Sequence, residues 1–420
     1  MRRIAMQSNN IINVVLASAD IKVANSLLKS MYQALPSFEI KASILLFGIT
    51  EPRKIYQFCP PVEIIDIVTY YPPIVDSRNI CQEYLRRKMN EFGGIGFILD
   101  DDLSWTLPEI EFITVLEKLK KAGCDMAFSA LSGDSPIPKE YTRTSPLLDV
   151  LIAIAVQYND SKTLKIKEYI AKVNVSKKSE SNINIHHDFY TFTHKKFHKY
   201  DVDIATINWH NFIDRLVKGK STTRTTPTPI TITPAKGRER GGATLILNID
   251  VLLCKNDSMR YLNLYSRRSD MIMATDAANY NFKLFNTPPM LKHLRDEAFD
   301  THDSKKLIGD ILGYALVESK EGANFCAKKF ETNVSQRIEH TKFLLMESSK
   351  MMELLDVWLK NNNYIELGVS SLVKSMIEEN EKTHSALTSI DLGIVQQSFN
   401  TFITNRIHVF KPNERKVSAS

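Results

Sequence analysis

Over its first 130 residues the chain alternates short, almost unbroken apolar runs with amphipathic stretches, and this alternation limits the possible folds more than any other feature. Residues 11–17 (IINVVLA) are apolar at every position but Asn13. A strand that is hydrophobic in this way needs cover on both faces. A helical period follows over residues 20–35, with Ser18 or Asp20 as its N-cap. Residues 41–48 read as the next strand, ended by Gly48, and residues 62–69 as a third. Asp76-Ser77 are expected to cap a helix over 77–91, and residues 95–100 (IGFILD) form a fourth strand. Pro108 opens a helix over 108–122, and residues 124–130 form another strand. The pattern predicts an α/β fold with a mostly parallel central sheet flanked by helices. Sheets of this kind bind ligands outside the carboxyl ends of their strands. There the chain carries Ser18-Ala19-Asp20, Gly48, residues 70–78 and Asp100 to Asp102.

Further along, residues 146–176 read as helical, and residues 218–240 change character abruptly. The latter are rich in Thr, Pro, Lys and Arg and have no apolar period, so they form a flexible basic segment: a solvated connector, or a lid over a phosphate-bearing ligand. Residues 243–253 and 281–286 are strand-like. From about 303 to 406 the pattern is helical, at 304–318, 333–359, 368–380 and 388–405. The expected division is residues 1–300, a mixed ligand-binding domain, and residues 301–420, a helical C-terminal domain with a polar tail from Lys411 to Ser420.

Composition removes several classes. A chain of 420 residues buries a core without needing disulfides or a structural metal. Cys59, Cys81, Cys124, Cys254 and Cys326 are scattered and form no CxxC pair, against both a zinc knuckle and a disulfide framework. No stretch of 18 uncharged apolar residues occurs, so no transmembrane helix is expected. Met1-Arg2-Arg3 followed by residues 11–16 loosely imitates a secretory signal, but Gln7-Ser8-Asn9-Asn10 interrupt it, and a first buried strand is the better reading. The expected location is cytoplasmic, or peripheral to the inner face of a membrane. A net charge of +6 suits an enzyme handling a polyanion such as a nucleotide. No aromatic-basic stripe marks nucleic acid as a partner.

The strongest local signal is the buried run Phe97-Ile98-Leu99 entering Asp100-Asp101-Asp102. Adjacent carboxylates at a strand end are costly unless a cation or donors neutralise them. Alternate residues of an extended segment share a face, so Asp100 and Asp102 can hold one hard divalent ion, Mg²⁺ or Mn²⁺, while Asp101 faces elsewhere. The alternative is an acidic turn that caps the next helix. Arg78, in Ser77-Arg78-Asn79, either reaches a diphosphate or is a surface arginine in a capping turn. Gly241-Gly242 either let backbone approach a ligand or make a tight turn. Asp270 opens an apolar helical run, where a carboxylate is a cap or a general base held by the helix end. His186-His187, His194 and His198 are interleaved with Lys195-Lys196 and read as a solvated basic face rather than a metal site. Trp105 reads as core rather than a sugar-stacking platform.

Taken in order, these elements resemble the GT-A-fold glycosyltransferases, in particular the inverting group that includes cellulose-synthase-like and polypeptide-sugar-transferase-like enzymes. Ser77-Arg78-Asn79 stands for that family's Arg-Asn helix start and Asp100-Asp101-Asp102 for its Asp-x-Asp. Gly241-Gly242-Ala243 stands for its acceptor-side turn, and Ser269-Asp270 for its Glu-Asp helix start. The likeness spans about residues 11–300. It implies a GT-A, Rossmann-like sheet and transfer of a sugar from a UDP- or GDP-sugar to a glycan, lipid-linked glycan, protein or small-molecule acceptor. It also implies Mn²⁺ or Mg²⁺ on Asp100 and Asp102, with His293 either joining the metal or the diphosphate or standing as a surface histidine, and nucleotide contacts from Ala17, Ser18, Arg78, Asp100, Asp101, Gly241 and Gly242. Asp270 is the implied base. The chain departs from the family at Ser269, where Glu is usual, and at Phe47-Gly48-Ile49-Thr50, where Asp-Asp-Gly-Ser is usual. The rival expectations are a nucleotidyltransferase, which would need a Gly-rich basic loop after the first strand, and a degenerate binding scaffold. Homo-oligomerisation through the C-terminal helices is a further expectation.

Overall fold

The computed structural model describes residues 10–48, 62–68, 72–135, 222–223, 230–239, 242–293, 304–322, 324–361 and 369–407. The expected helix at 146–176, the histidines from His186 to His198, most of the basic 218–240 segment, Gly241, Cys59 and the polar tail lie outside them.

In chain order the first part runs β1 (Ile11–Ser18), α1 (Ile21–Ala34), β2 (Glu39–Phe47), β3 (Glu63–Val68), α2 (Ile74–Phe92), β4 (Ile95–Asp100), β5 (Leu103–Trp105), α3 (Glu109–Lys121) and β6 (Met126–Ser135). Then come β7 (Thr222–Thr223), β8 (Thr233–Pro234), β9 (Ala243–Ile246), a short 3₁₀ helix (Ile249–Leu253), β10 (Arg260–Tyr261), β11 (Leu264–Tyr265), α4 (Ser269–Asn279) and β12 (Leu284–His293). The last part comprises α5 (Ser304–Glu318), β13 (Lys320–Glu321), β14 (Asn324–Phe325), α6 (Ala327–Asn361), α7 (Val369–Thr388) and α8 (Leu392–Ile407).

The main sheet has the order β3-β2-β1-β4-β9-β6-β12-β5. Strands β3, β2, β1 and β4 are mutually parallel, and β9 enters antiparallel to both β4 and β6. The expected α/β class, with a mostly parallel sheet flanked by helices, is therefore present. The unbroken apolar runs have the reason anticipated for them. Val14 and Leu16 of β1 and Phe97 and Leu99 of β4 pack with α1 and α3 on one face, while Val15 and Ile98 pack with α2 and α4 on the other. Trp105 belongs to the first of these cores. It stands edge-on to Phe97 at 5.6 Å and to Phe112 at 5.1 Å, and its indole N–H donates to Leu107 O.

Register is set locally. The buried Asn13 side chain donates to Gly93 O at 2.7 Å and to Ile95 O at 3.2 Å, tying β1 to the turn before β4. Gly94, at φ +79°, passes so close to β1 that a Cβ there would lie 2.2 Å from Ile11 O. Ile12 therefore pairs with Ile95, and Ala17 with Asp100.

Several boundaries differ from expectation: β6 runs on to Ser135, α6 begins at Ala327 rather than 333, α7 runs to Thr388 rather than 380, and α8 begins at Leu392 rather than 388. Helix α2 begins at Ile74 rather than Ser77, because the extended Pro73 is its N-cap and the Ser77 hydroxyl turns back to Ile74 O. Arg78 thus stands on the second turn. The strand expected over 243–253 stops at Ile246. There the Asn248 amide donates to Asp125 Oδ1 while its carbonyl oxygen accepts from Asp250 N–H, which turns the chain into the 3₁₀ helix. The strand expected over 281–286 is β12, which continues to His293. Pro288-Pro289 interrupt its ladder without ending it, since the register shifts between Thr287 and Leu291 and Met290 N–H finds Ser129 Oγ at 3.0 Å.

The C-terminal helices share a core with the loop and helix before them. Met259, Tyr261, Met271 and Ile272 pack with Leu307, Leu312, Phe330 and Phe399. A partly buried charge cluster ties the ends together. Asp276 of α4 pairs with Lys320 and Arg406, and Arg406 also meets Asp257 at 3.2 Å. Among the described residues, no helix is long and apolar enough to cross a membrane. Cys81, Cys124, Cys254 and Cys326 are free thiols.

Candidate active site

The parallel strands order themselves outward from β1 in two directions, to β2 and β3 on one side and to β4 on the other. Such a switch point opens a crevice at the carboxyl ends of the two diverging strands. Here those ends are Ala17-Ser18 and Asp100, paired across the ladder. The Ser18 hydroxyl bridges the crevice to Asp101 Oδ2 at 2.5 Å and accepts from Asp20 N–H at 3.0 Å. Asp20 in turn caps α1 through Lys22 N–H. The side chain of Asp101 is therefore aimed at β1, away from a shared site with its neighbours.

Asp100 and Asp102 take different partners. Asp100 Oδ1 meets Arg78 Nη2 at 3.2 Å, with the carboxylate 42% exposed and the arginine 17%. The pair is thus reachable from solvent on its acidic side. Asp102 Oδ1 lies 3.5 Å from His293 Nδ1, at the end of β12 where His293 faces Leu103 of β5 in the ladder. His293 Nδ1 is buried with no hydrogen-bond partner. Among the described residues, no three His, Cys, Asp or Glu side chains stand together as a ready metal-binding group.

Gly242 borders Asp100. Its carbonyl accepts from Asp100 N–H at 3.0 Å, and a Cβ on it would lie 2.8 Å from Asp100 Oδ2. The bare backbone at this position makes room for the carboxylate itself. Asp270 stands in the first turn of α4, where Oδ1 accepts from Met271 N–H at 3.0 Å. It is near enough to act electrostatically on both Arg78 and Asp100.

Charge in the crevice is strongly interdependent. Although its outer side is exposed, the packing around the Asp100 carboxyl removes enough water to push it above its usual range, with Asp102 and Asp270 adding to the rise and Arg78 and His293 opposing it. Burial also raises Asp101, against the hydrogen bond from Ser18. Arg78 is held more firmly protonated than usual, since Asp100 and Asp270 outweigh the burial that disfavours its charge. Cys81, one turn along from Arg78, is pushed up to about 12 by burial and stays a neutral thiol.

Two residues anchor these elements through partners that the sequence does not reveal. Asn79 exchanges a pair of 2.9 Å hydrogen bonds with the backbone of Asn256, fixing the helix that carries Arg78. Arg268, just ahead of Asp270, is buried and left-handed at φ 73°. Only the run Asn79 after Arg78, and Arg268 before Ser269-Asp270, hints at either in the sequence; the partners are about 40 to 180 residues away.

No family model matches the chain, and no curated protein matches it. Among solved structures, the crystal structure of S. aureus TarS 1-349 is similar over 89% of this chain and 90% of that chain, at 8% identity and a TM-score of 0.35. A likeness of that degree carries no argument about chemistry.

Proposed function

We propose that the chain is a metal-dependent glycosyltransferase that moves a sugar from a UDP- or GDP-sugar to a hydroxyl acceptor with inversion. The acceptor class is a glycan, lipid-linked glycan, protein or small molecule. One observation supports the reading: at the switch-point end of the sheet Arg78 meets Asp100 and His293 faces Asp102, with Asp270 within electrostatic reach of Arg78 and Asp100.

Asp100, Asp102 and His293 would hold Mn²⁺ or Mg²⁺, which supplies neutralisation of the charge on the diphosphate. In chemistry, though not as a group already standing together among the described residues, carboxylate oxygen with one imidazole whose Nδ1 is buried and faces Asp102 suits a hard or borderline cation.

Arg78 adds a guanidinium that is already desolvated and firmly charged, and it can exchange Asp100 for a departing phosphate oxygen. Ala17 and Ser18, at the rim of β1, face the nucleotide, and Asp101 is held by Ser18 as part of that rim. Asp270 takes the proton of the acceptor hydroxyl at a carboxylate oxygen, and the freed oxygen attacks the anomeric carbon opposite the leaving diphosphate. The C–O bond to the donor phosphate breaks with its electron pair on the nucleoside diphosphate.

The test is release of UDP or GDP from a panel of UDP- and GDP-sugars with Mn²⁺, followed by mass spectrometry. Asp102→Ala and Asp270→Asn should each lower turnover by about 10²-fold or more, the loss expected for a removed electrostatic or proton-transfer group. Metal-dependent turnover that survives both changes overturns the assignment.

A further inference from the structure

The helix that carries Asp270 starts from a backbone conformation that side chains other than glycine seldom hold. Arg268, its N-cap, sits at φ 73° and ψ 29° with no side-chain capping bond. The other described non-glycine residues at positive φ, Leu262 and Asn281, lie in exposed turns, whereas Arg268 is 8% exposed. A residue stays in this region only where its surroundings over-determine it, and such positions gather at functional sites.

The surroundings come from α5. Arg267 N–H donates to Gly309 O at 2.9 Å. A Cβ on Gly313, one turn later, would lie 1.9 Å from Arg267 O, so the turn rests directly on the helix backbone. Arg268 Nη2 meets Asp310 Oδ1 at 3.1 Å, and both side chains are almost wholly buried. The same guanidinium lies 4.7 Å over the Tyr314 ring, a cation–π contact strengthened by desolvation. Arg337 of α6, paired with Glu318 at 2.6 Å, approaches that ring at 5.1 Å. Arg268 then starts α4: its carbonyl accepts from Met271 and Ile272 N–H at 3.1 and 3.2 Å. Asp270 lies between Arg268 and these two residues and shares the Met271 N–H.

We propose that Arg268 and Asp310 are positioning residues that aim Asp270, so that the C-terminal helices take part in the reaction by fixing its base. The inference rests on the reading of Asp270 given above. If the Arg268–Asp310 pair is broken, the left-handed turn relaxes, the first turn of α4 reorients, and the Asp270 carboxylate shifts against Arg78 and Asp100. A misplacement near 1 Å costs about 10²-fold in rate.

The full-length chain is tested as Arg268→Lys, which keeps the charge but loses the planar fork, and as Asp310→Asn, which keeps the shape. The probes are UDP-glucose, UDP-N-acetylglucosamine and GDP-mannose with Mn²⁺. Each variant should lose about 10- to 100-fold in kcat with KM for the donor within about twofold. Combined with Asp270→Asn, each should add less than about twofold to the loss, because both act through one carboxylate. Losses that multiply independently, while Asp270→Asn alone lowers turnover by about 10²-fold, overturn the positioning role only. Turnover in Asp270→Asn within about twofold of wild type overturns the base and the positioning role together. Amide exchange gives an answer that needs no donor. Met271 and Ile272 should exchange at least about tenfold faster in either variant, with β1 and β4 unchanged. Exchange that stays at the wild-type rate there overturns the inference.

Discussion

Gly242→Ala separates a glycine that serves a ligand from one that serves a neighbouring side chain. The added Cβ would lie 2.8 Å from Asp100 Oδ2, 3.6 Å from Asp100 Cγ and 3.7 Å from Leu131 Cδ1. The last two are ordinary contacts, so only the end of the Asp100 side chain must move. Reaching an ordinary 3.4 Å from 2.8 Å takes a shift of about 0.6 Å. Gly242 is not among the glycines at positive φ, so alanine fits its backbone. The unfolded chain loses freedom as well, a stabilisation of about 0.4–1 kcal/mol that offsets the local crowding. The melting temperature should therefore stay within about 2–4 °C of wild type, a change worth less than about 1 kcal/mol. The site should not be spared. The displaced carboxylate loses its 3.2 Å contact with Arg78. If a 1 Å misplacement costs about 10²-fold, then 0.6 Å costs roughly tenfold, or ~1.4 kcal/mol. The assay is calorimetric titration of UDP and GDP with Mn²⁺, alongside donor turnover and thermal melting. The double variant with Asp100→Ala should behave as Asp100→Ala alone, since the clash is then gone. An independent further loss in the double variant would show that the bare backbone faces the ligand instead, and the reasoning would fail.

Two other outcomes follow from the electrostatics. Asp101 binds its proton more tightly folded than unfolded, so the associated stability is present below the ordinary carboxylate range and is lost as pH rises through the raised value. Asp101→Asn should accordingly melt higher than wild type at about pH 7 and no higher at about pH 3, and a difference equal at both pH values would refute this. Arg406→Met leaves Asp257 and Asp276 to share Lys320, whose charge is already disfavoured by burial. Urea unfolding should show a loss of about 1–3 kcal/mol, the cost of removing charged hydrogen bonds while Lys320 still pairs Asp276, and a loss below about 0.5 kcal/mol would mean the cluster contributes little.

Much of the fold can be read without coordinates because its cause is local. The runs at Ile12 to Leu16 and Phe97 to Leu99 read as strands covered on both faces, and a cap at Ser18 or Asp20 followed by the spacing Ala24, Leu27, Leu28 and Met31 reads as a helix buried on one side. Carboxylates at the end of such a strand mark the site for the same reason: they are costly there without partners. Which partners they take is a long-range matter. Asp100 turns to Arg78, 22 residues earlier, whereas Asp102 turns to His293, brought alongside by a strand that runs on past two prolines. Likewise Asp270 is visible as a helix-opening carboxylate, but the left-handed residue that precedes it is held by Asp310 and Tyr314 of a distant helix. Periodicity and capping involve neighbours within a turn or two, so the chain alone determines them. Ion pairs and close backbone approach depend on which elements meet in space, and here that was decided by the antiparallel insertion of β9 and the packing of α5 against the turn before α4.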